Sequence, residues 1–319
     1  MLVTQCTSYR TKKSKTIHML TTFEQIYAEL RSRGSRKRMV AAWGVDGHTV
    51  AAAGKAVGLG LADVTLVGDE NLIAQACKDE GIDISVFTIV HNENEMESIK
   101  EAVRMVREGE GDFLMKGLCS TDKFLRAILN KETGLLPPKG TLTHCTTLEI
   151  PSYHKLLFVG DVAVIPAPDL KQKQIIMECL VKTAQAVGIA KPKVAILAAT
   201  EQVLPSQPAS MEAAILSKMA DRGQIKGCIA DGPLALDVAI DQESVAIKGL
   251  VSPVAGDADC LLFPNIESGN VFYKANSKLV AGVRQSGILV GAKAPCVLSS
   301  RADSIDTKLN SIAMAAMSV

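Results

Sequence analysis

Short apolar runs of strand length alternate with stretches of helical period over the first half of the chain. Residues 39–43 are followed by a helical pattern at 48–57, 64–68 by 72–79, 85–90 by 96–106, and 112–116 by 122–129. Runs of this length bounded by turn residues predict strands, and apolar recurrence at 3.6 residues predicts helices. Strands regularly separated by helices build a mostly parallel sheet with helices on both faces. Pro137-Pro138-Lys139-Gly140 interrupts the pattern, which restarts with a strand at 156–165 and a long helix behind Pro168-Asp169. In that helix Asp169 and Gln172 have the spacing of a capping box. Ile175, Ile176, Cys179, Leu180, Ala184 and Val187 form its core-facing stripe, leaving Lys171, Lys173 and Lys182 for solvent. Further strands at 194–198, 228–230 and 260–263, with helices at 211–220 and 270–280, predict a second α/β sheet.

Length and composition agree with two units, because 319 residues with 47% hydrophobic content exceed what a single core usually holds. The net charge is +1, but Arg10, Lys12, Lys13 and Lys15 sit in the first eighteen residues without an acidic partner, and the remainder carries 31 basic against 34 acidic groups. Residues 1–18 therefore read as a disordered leader or appended extension, with Met19 the natural start. A mildly acidic body offers no global field for a nucleic-acid backbone or an anionic membrane, so an anionic ligand has to be met by a local cluster. No apolar run reaches the roughly 18–20 residues of a spanning helix. These features predict a small-molecule partner, no nucleic acid and no membrane.

Eight cysteines, at 6, 77, 119, 145, 179, 228, 260 and 296, include no C-x-x-C pair, and several lie inside apolar runs. Buried free thiols in a reducing cytoplasm are expected. The five histidines are dispersed as well, so no structural metal is predicted.

Four stretches carry candidate chemistry. Near the carboxyl end, Ala294-Pro295-Cys296-Val297-Leu298 breaks into Ser299-Ser300-Arg301-Ala302-Asp303-Ser304 ahead of a helix with Leu309, Ile312, Ala313 and Ala316 at helical spacing. Ser304 suits an N-cap, and the free amides and dipole behind it favour an anion near Ser300 and Arg301. A bidentate guanidinium contact to phosphate is worth roughly 1.5–3 kcal/mol; the alternative is an Arg301–Asp303 strut. A second strand ends in Pro264-Asn265-Ile266-Glu267-Ser268-Gly269-Asn270, where Gly269 permits close approach and Asn265, Ser268 and Asn270 offer neutral donors, though a capped turn explains them equally. A third ends in Lys116-Gly117 before the Ser120-Thr121 start of a helix bearing Arg126. Lys116 at a strand end is placed to neutralise a phosphate or developing oxyanion, unless it is an ordinary surface lysine. The fourth, Asp231-Gly232-Pro233 with Asp237, flanks a turn with two carboxylates that orient a ligand or simply close the turn. P-loop, nucleophile-elbow and dinucleotide fingerprints are absent.

With Val254-Ala255-Gly256-Asp257-Ala258-Asp259, Gly291-Ala292-Lys293 and the order of all these motifs, the chain after Met19 resembles the phosphate acetyltransferase/phosphate butyryltransferase family, and within it the butyryl branch. The resemblance implies reversible acyl transfer between coenzyme A and inorganic phosphate, with coenzyme A as substrate, no tightly bound cofactor, and a homodimer paired through the second domain. It implies two three-layer α/β domains of mostly parallel sheet with a cleft between them, as in isocitrate and isopropylmalate dehydrogenases. The first, discontinuous domain would comprise 19–142 and 284–319, and the second 143–283.

Carried over from that family, Ser300 and Arg301 hold the phosphoryl group and its developing charge, with Thr121 and Arg126 a second pair. Lys116 replaces a serine common in the acetyl-specific members, which is one reason for preferring the butyryl branch. Gly117, Thr121, His144, Ser268, Gly269 and Asn270 are taken as substrate-binding positions. Thr307 stands where acetyl-specific members place an aspartate thought to take the coenzyme A thiol proton. Asp303 is then the first choice of base, ahead of Asp306 or a cationic pocket that lowers the thiol pKa. Asn265 stands where relatives often carry aspartate. Other readings are an acetyl-specific transferase, a nicotinamide-dependent dehydrogenase of the same fold, and a non-catalytic coenzyme A-binding regulator.

Overall fold

A computed structural model of the chain describes residues 18–298 and 303–319. Ser299, Ser300, Arg301 and Ala302 lie outside the described residues, as do Cys6 and nearly all of the basic leader. The strands are β1 (Lys37–Ala42), β2 (Ala62–Gly68), β3 (Thr88–His91), β4 (Phe113–Lys116), β5 (Thr143–Glu149), β6 (Leu157–Gly160), β7 (Lys193–Leu197), β8 (Ile229–Leu234), β9 (Cys260–Leu262), β10 (Arg284–Val290) and β11 (Cys296–Val297). The helices are α1 (Phe23–Ser32), α2 (Gly47–Gly58), α3 (Glu70–Asp79), α4 (Glu95–Arg107), α5 (Thr121–Leu129), α6 (Leu170–Ala186), α7 (Pro208–Asp221), α8 (Leu236–Ile240), α9 (Gln242–Lys248), α10 (Ile266–Leu279) and α11 (Ile305–Met317).

The strands form one mixed sheet in the order β3-β2-β1-β4-β11-β10-β5-β6-β9-β7-β8. Both flanks, β3-β2-β1-β4-β11 and β6-β9-β7-β8, are parallel within themselves, as the alternating pattern predicts. They are joined edge to edge where separate sheets were expected, because β10 runs antiparallel to both β11 and β5, and β5 antiparallel to β6. β5 reads Thr-His-Cys-Thr-Thr-Leu-Glu, too polar to register as an apolar run, yet every residue but Glu149 is buried. Side-chain hydrogen bonds make this possible: the Thr143 hydroxyl donates to Asp161 at 2.7 Å, and Thr146 meets His144 at 3.4 Å.

One apolar cluster lines one face of the sheet beneath α1, α2, α3, α6, α7 and α11. The opposite face carries two, one under α4 and α5 and one around β6, β9 and α8. The Asp169–Gln172 capping box forms as predicted. Lys173 does not face solvent: it is buried against α7, where its ammonium pairs with Glu212. Its own helix periodicity could not reveal this, because the cover comes from a helix that follows some twenty residues later. α11 starts at the predicted Ser304 cap, and Lys308 and every residue from there to Met317 are buried.

At the amino ends of β6, β7 and β9 sits a charge cluster. The Lys155 ammonium lies 2.8 Å from both Asp257 and Asp259, and Lys193 and His154 reach Asp257 at 2.7 and 2.9 Å. Burial works to raise the Asp257 carboxyl, but hydrogen bonds from Lys155 and Lys193 outweigh it and hold the group well below the usual carboxylate range. The Val254–Asp259 motif thus ties three strands together.

Candidate active site

β1 and β4 end side by side. The Gly117 amide donates to the Ala42 carbonyl at 3.0 Å and the Leu118 amide to Trp43 at 3.0 Å. A Cβ on Gly117 would lie 2.2 Å from the Trp43 carbonyl oxygen, so only glycine lets β4 turn here. The turn directs Lys116 inward: it is 5% exposed, and its ammonium donates to the carbonyls of Cys119 (2.9 Å) and Gly117 (3.2 Å). Lys116 is therefore not the ordinary surface lysine of the alternative reading.

Lys116 lines a cavity of ≈ 280 Å³ with Gly117, Leu118, the first turn of α2 (Gly47, His48, Thr49), its N-cap Asp46, and Lys308 of α11. Asp46 caps α2 by accepting from the Thr49 amide at 3.0 Å. Lys308, which the motif reading passed over, is 6% exposed. Burial lowers its pKa from the ordinary lysine value, against the charges of Asp303 and Asp46. In sequence it looks like a polar-face residue; only α11's packing on α1, α2 and β10 puts it inside.

Asp303, the described residue just past the Ser299–Ala302 segment, accepts a hydrogen bond from Tyr273. Burial first, then the Asp303 charge, pushes the Tyr273 phenol far above its usual range, so it stays a donor. Thr307 is occupied at the start of α11, its amide donating to the Ser304 hydroxyl at 3.1 Å.

His144 is 5% exposed and does not line the cavity. Burial holds its imidazole below the ordinary pKa of 6.5, against the charges of Asp161 and Asp303 and a hydrogen bond to the Leu298 backbone. The ring thus anchors the end of β11, where the Ser300–Arg301 segment departs. Below pH 6.5 the unfolded chain binds a proton that the buried ring resists, so stability falls on acidification by about 1.4 kcal/mol per pH unit until the folded-state pKa is reached. His144→Gln should remove that increment from the slope of unfolding free energy between pH 6.5 and 5; identical slopes for the two proteins would contradict it.

Asp161 is the other residue that motif reading missed. Its buried carboxylate accepts from Thr143 Oγ1 (2.7 Å), His144 N (3.1 Å), Ala163 N (2.7 Å) and Val164 N (2.9 Å). The signal available was an aspartate directly after a strand, too common to stand out.

The remaining candidates are distributed elsewhere. Thr121 opens α5 and is exposed, while Ser120 supplies the cap. Arg126 projects from the far side of α5, pairs with Asp122 at 3.0 Å, and lines a different cavity of ≈ 570 Å³ with His91, Asn92, Lys100 and Arg104. Ser268, Gly269 and Asn270 have structural partners at the start of α10. Asn265 caps the Ser268 amide at 3.0 Å, a Cβ on Gly269 would meet the Asp161 carbonyl at 2.5 Å, and Asn270 donates to the Val162 carbonyl at 3.0 Å. Asp231 accepts from its neighbour Gly232 at 2.8 Å while Asp237 pairs with Lys248 at 2.9 Å, so the two carboxylates are engaged separately.

Burial raises the thiols of Cys119 to about 11 and of Cys145 and Cys296 to about 12, which keeps them protonated at neutral pH. No helix among the described residues is long and apolar enough to cross a membrane.

Residues 96–316 match the family model described as Phosphate acetyl/butaryl transferase. The chain is 45% identical over 299 residues to the phosphate butyryltransferase of Clostridium acetobutylicum, covering 94% of this chain and 98% of that one. It is 39% identical over 286 residues to the phosphate acetyltransferase of Thermotoga maritima, covering 90% and 96%. A branched-chain phosphotransacylase from Enterococcus faecalis V583 superposes with a TM-score of 0.78 at 29% identity, covering 88% of this chain and 98% of that one. At the level of fold alone, a 4-hydroxythreonine-4-phosphate dehydrogenase from Klebsiella pneumoniae aligns with a TM-score of 0.56 at 11% identity, covering 88% and 98%, in keeping with the dehydrogenase-like architecture.

Proposed function

We propose, for a chain that belongs to the phosphate acetyl/butyryl transferase family, the reversible transfer of a short acyl group between coenzyme A and inorganic phosphate, with butyryl or a chain of similar size as the acyl group. The observation that carries this reading is the likeness to a phosphate butyryltransferase along nearly the whole chain.

A phosphate oxygen attacks the thioester carbonyl carbon, the C–O bond forms, the C–S bond breaks, and the electron pair leaves with sulfur. Negative charge accumulates on phosphate and on the carbonyl oxygen, where preorganised cations and donors stabilise it most. Lys116 supplies a buried cation, Ser300 and Arg301 hold the phosphoryl group, and Thr121 with Arg126 binds a further anionic portion of the substrate. Asp303 stands at the thiol end, and His144 and Gly117 shape the site's backbone. Ser268, Gly269 and Asn270 are assigned to the substrate side by the family resemblance. The protonated cysteines argue for direct attack, without an acyl-enzyme.

Lys116→Met should raise the phosphate KM and cut kcat/KM for phosphate by about 10–100-fold, the equivalent of one charge-assisted contact. Unchanged phosphate kinetics in a variant with an unchanged melting temperature would remove Lys116 from the site. The acyl preference is tested by comparing acetyl, propionyl, butyryl and branched acyl coenzyme A at saturating phosphate. The highest kcat/KM is expected with the four-carbon chain, and a clear optimum with acetyl would replace the butyryl reading with the acetyl-specific one.

The division into residues 19–142 with 284–319 and residues 143–283 is supported by the separate apolar clusters on one sheet face. Homodimer pairing through the second unit is supported by exposed Ile247, Val251, Val271 and Leu279 on α9, α10 and the segment after α9. Free buried thiols favour a cytoplasmic location.

A further inference from the structure

The sulfur of coenzyme A must gain a proton when it leaves and lose one when it attacks. Thr307 has no charge to offer and is engaged with the Ser304 cap. The next residue along α11, Lys308, lies inside the same ≈ 280 Å³ cavity as Lys116. The charged and titratable groups that line the cavity with it or act on it are Asp46 and His48 from the start of α2, Lys116 from the end of β4, and Asp303 ahead of α11. Asp306, on the first turn of α11, is paired with Lys55 at the surface. Asp303 is in turn fixed by Tyr273.

We propose that Lys308 is a catalytic residue of the transfer, the group that exchanges the proton with the coenzyme A sulfur, with Asp303 holding it in position. This rests on the phosphate acyltransferase reading. In the direction of acyl phosphate, phosphate oxygen bonds to the carbonyl carbon, the C–S bond breaks with its electron pair on sulfur, and the Lys308 ammonium passes one proton to that sulfur. The neutral amine then regains a proton from solvent. In reverse, the neutral amine takes the thiol proton, the thiolate attacks the acyl phosphate carbonyl, and phosphate leaves.

Burial equips Lys308 for this task. It disfavours the ammonium and lowers the pKa toward that of a thiol, near 8.5 for a cysteine side chain, which is where proton exchange with sulfur is most efficient. Asp303 and Asp46 oppose the shift and keep the charged form accessible. The two lysines therefore divide the work: Lys116 is hydrogen-bonded to two backbone carbonyls and compensates phosphate charge, and Lys308 cycles its proton.

The test uses the full-length protein with Lys308→Arg and Lys308→Met, measuring kcat, phosphate KM and coenzyme A kinetics in both directions together with melting temperature. Both variants are expected to lose about 100-fold or more in kcat, the usual weight of general acid–base catalysis, with little change in phosphate KM. Arginine keeps the positive charge but does not release a proton, so its failure separates proton exchange from charge alone. In the wild type, kcat/KM for coenzyme A should rise with pH through an ionisation below the ordinary lysine value that both variants lack. Wild-type turnover in Lys308→Arg, or retained kcat with a raised phosphate KM in either variant, would overturn the proposal. Should Lys308→Met fail to fold, the arginine variant and the wild-type pH profile still decide it. A wild-type protein that forms no acyl phosphate at all would overturn the transferase reading, and this proposal with it.

Discussion

Arg301→Ala is expected to lower turnover by about 10²–10³-fold, the effect of removing a preorganised donor from a charge that develops in the transition state. The segment containing Arg301 joins two fixed points. Leu298 is held by His144 beyond β11, and Asp303 is held by Tyr273 ahead of α11. The Asp303 charge acts in turn on Lys308, which lines the cavity with Lys116. A guanidinium offers phosphate a planar, bidentate contact that lysine does not reproduce, so Arg301→Lys should recover only part of the loss. Steady-state kinetics with butyryl coenzyme A and phosphate, paired with thermal unfolding, separate lost chemistry from lost fold. Wild-type turnover in the folded alanine variant would remove the main site assignment.

Lys155→Met is expected to destabilise the protein by about 3–5 kcal/mol, because breaking a buried ion pair leaves an uncompensated charge in a dry site. Lys155 and Asp259 are both 5% exposed, and the ammonium also donates to the Asp257 carbonyl at 2.9 Å. Without it, two carboxylates remain close together at the amino ends of β6, β7 and β9. For a chain of this length the loss corresponds to a fall in melting temperature on the order of 10 °C. None of the residues of this cluster lines the cavity with Lys116, so residual folded protein should keep its KM values. An unchanged melting temperature would show that the pair contributes nothing net.

The parts of the fold that repeat a local rule were readable from sequence. β1, β2 and β4 are apolar runs, α2 through α5 follow them at helical period, and the Asp169 and Ser304 caps are local hydrogen-bond patterns. β5 and β10 were not readable, since their burial depends on strands far away in the chain and their polar side chains find partners only in the folded protein. Lys173 and Lys308 failed for the same reason from the opposite direction: each lies on what looks like a polar helix face and is covered by a distant helix or strand. Within the site, Lys116 and Gly117 were legible because a strand end and a close backbone approach leave a local signature. Arg126 was joined with Thr121 as a second anion-binding pair through the family resemblance, and in the fold it lines a different cavity from the one that holds Lys116. Asp257 and Asp259 belong to a motif shared with the family, and the structure gives that motif a bracing role between strands.

The most direct measurement follows free thiol and butyryl phosphate together, after the full-length protein is mixed with butyryl coenzyme A in the presence and absence of inorganic phosphate. Transfer by direct attack predicts equal amounts of thiol and butyryl phosphate, both dependent on phosphate, with no acyl group left on the protein. Thiol release that is the same without phosphate, or a butyryl group recovered on a cysteine of the protein, would contradict it.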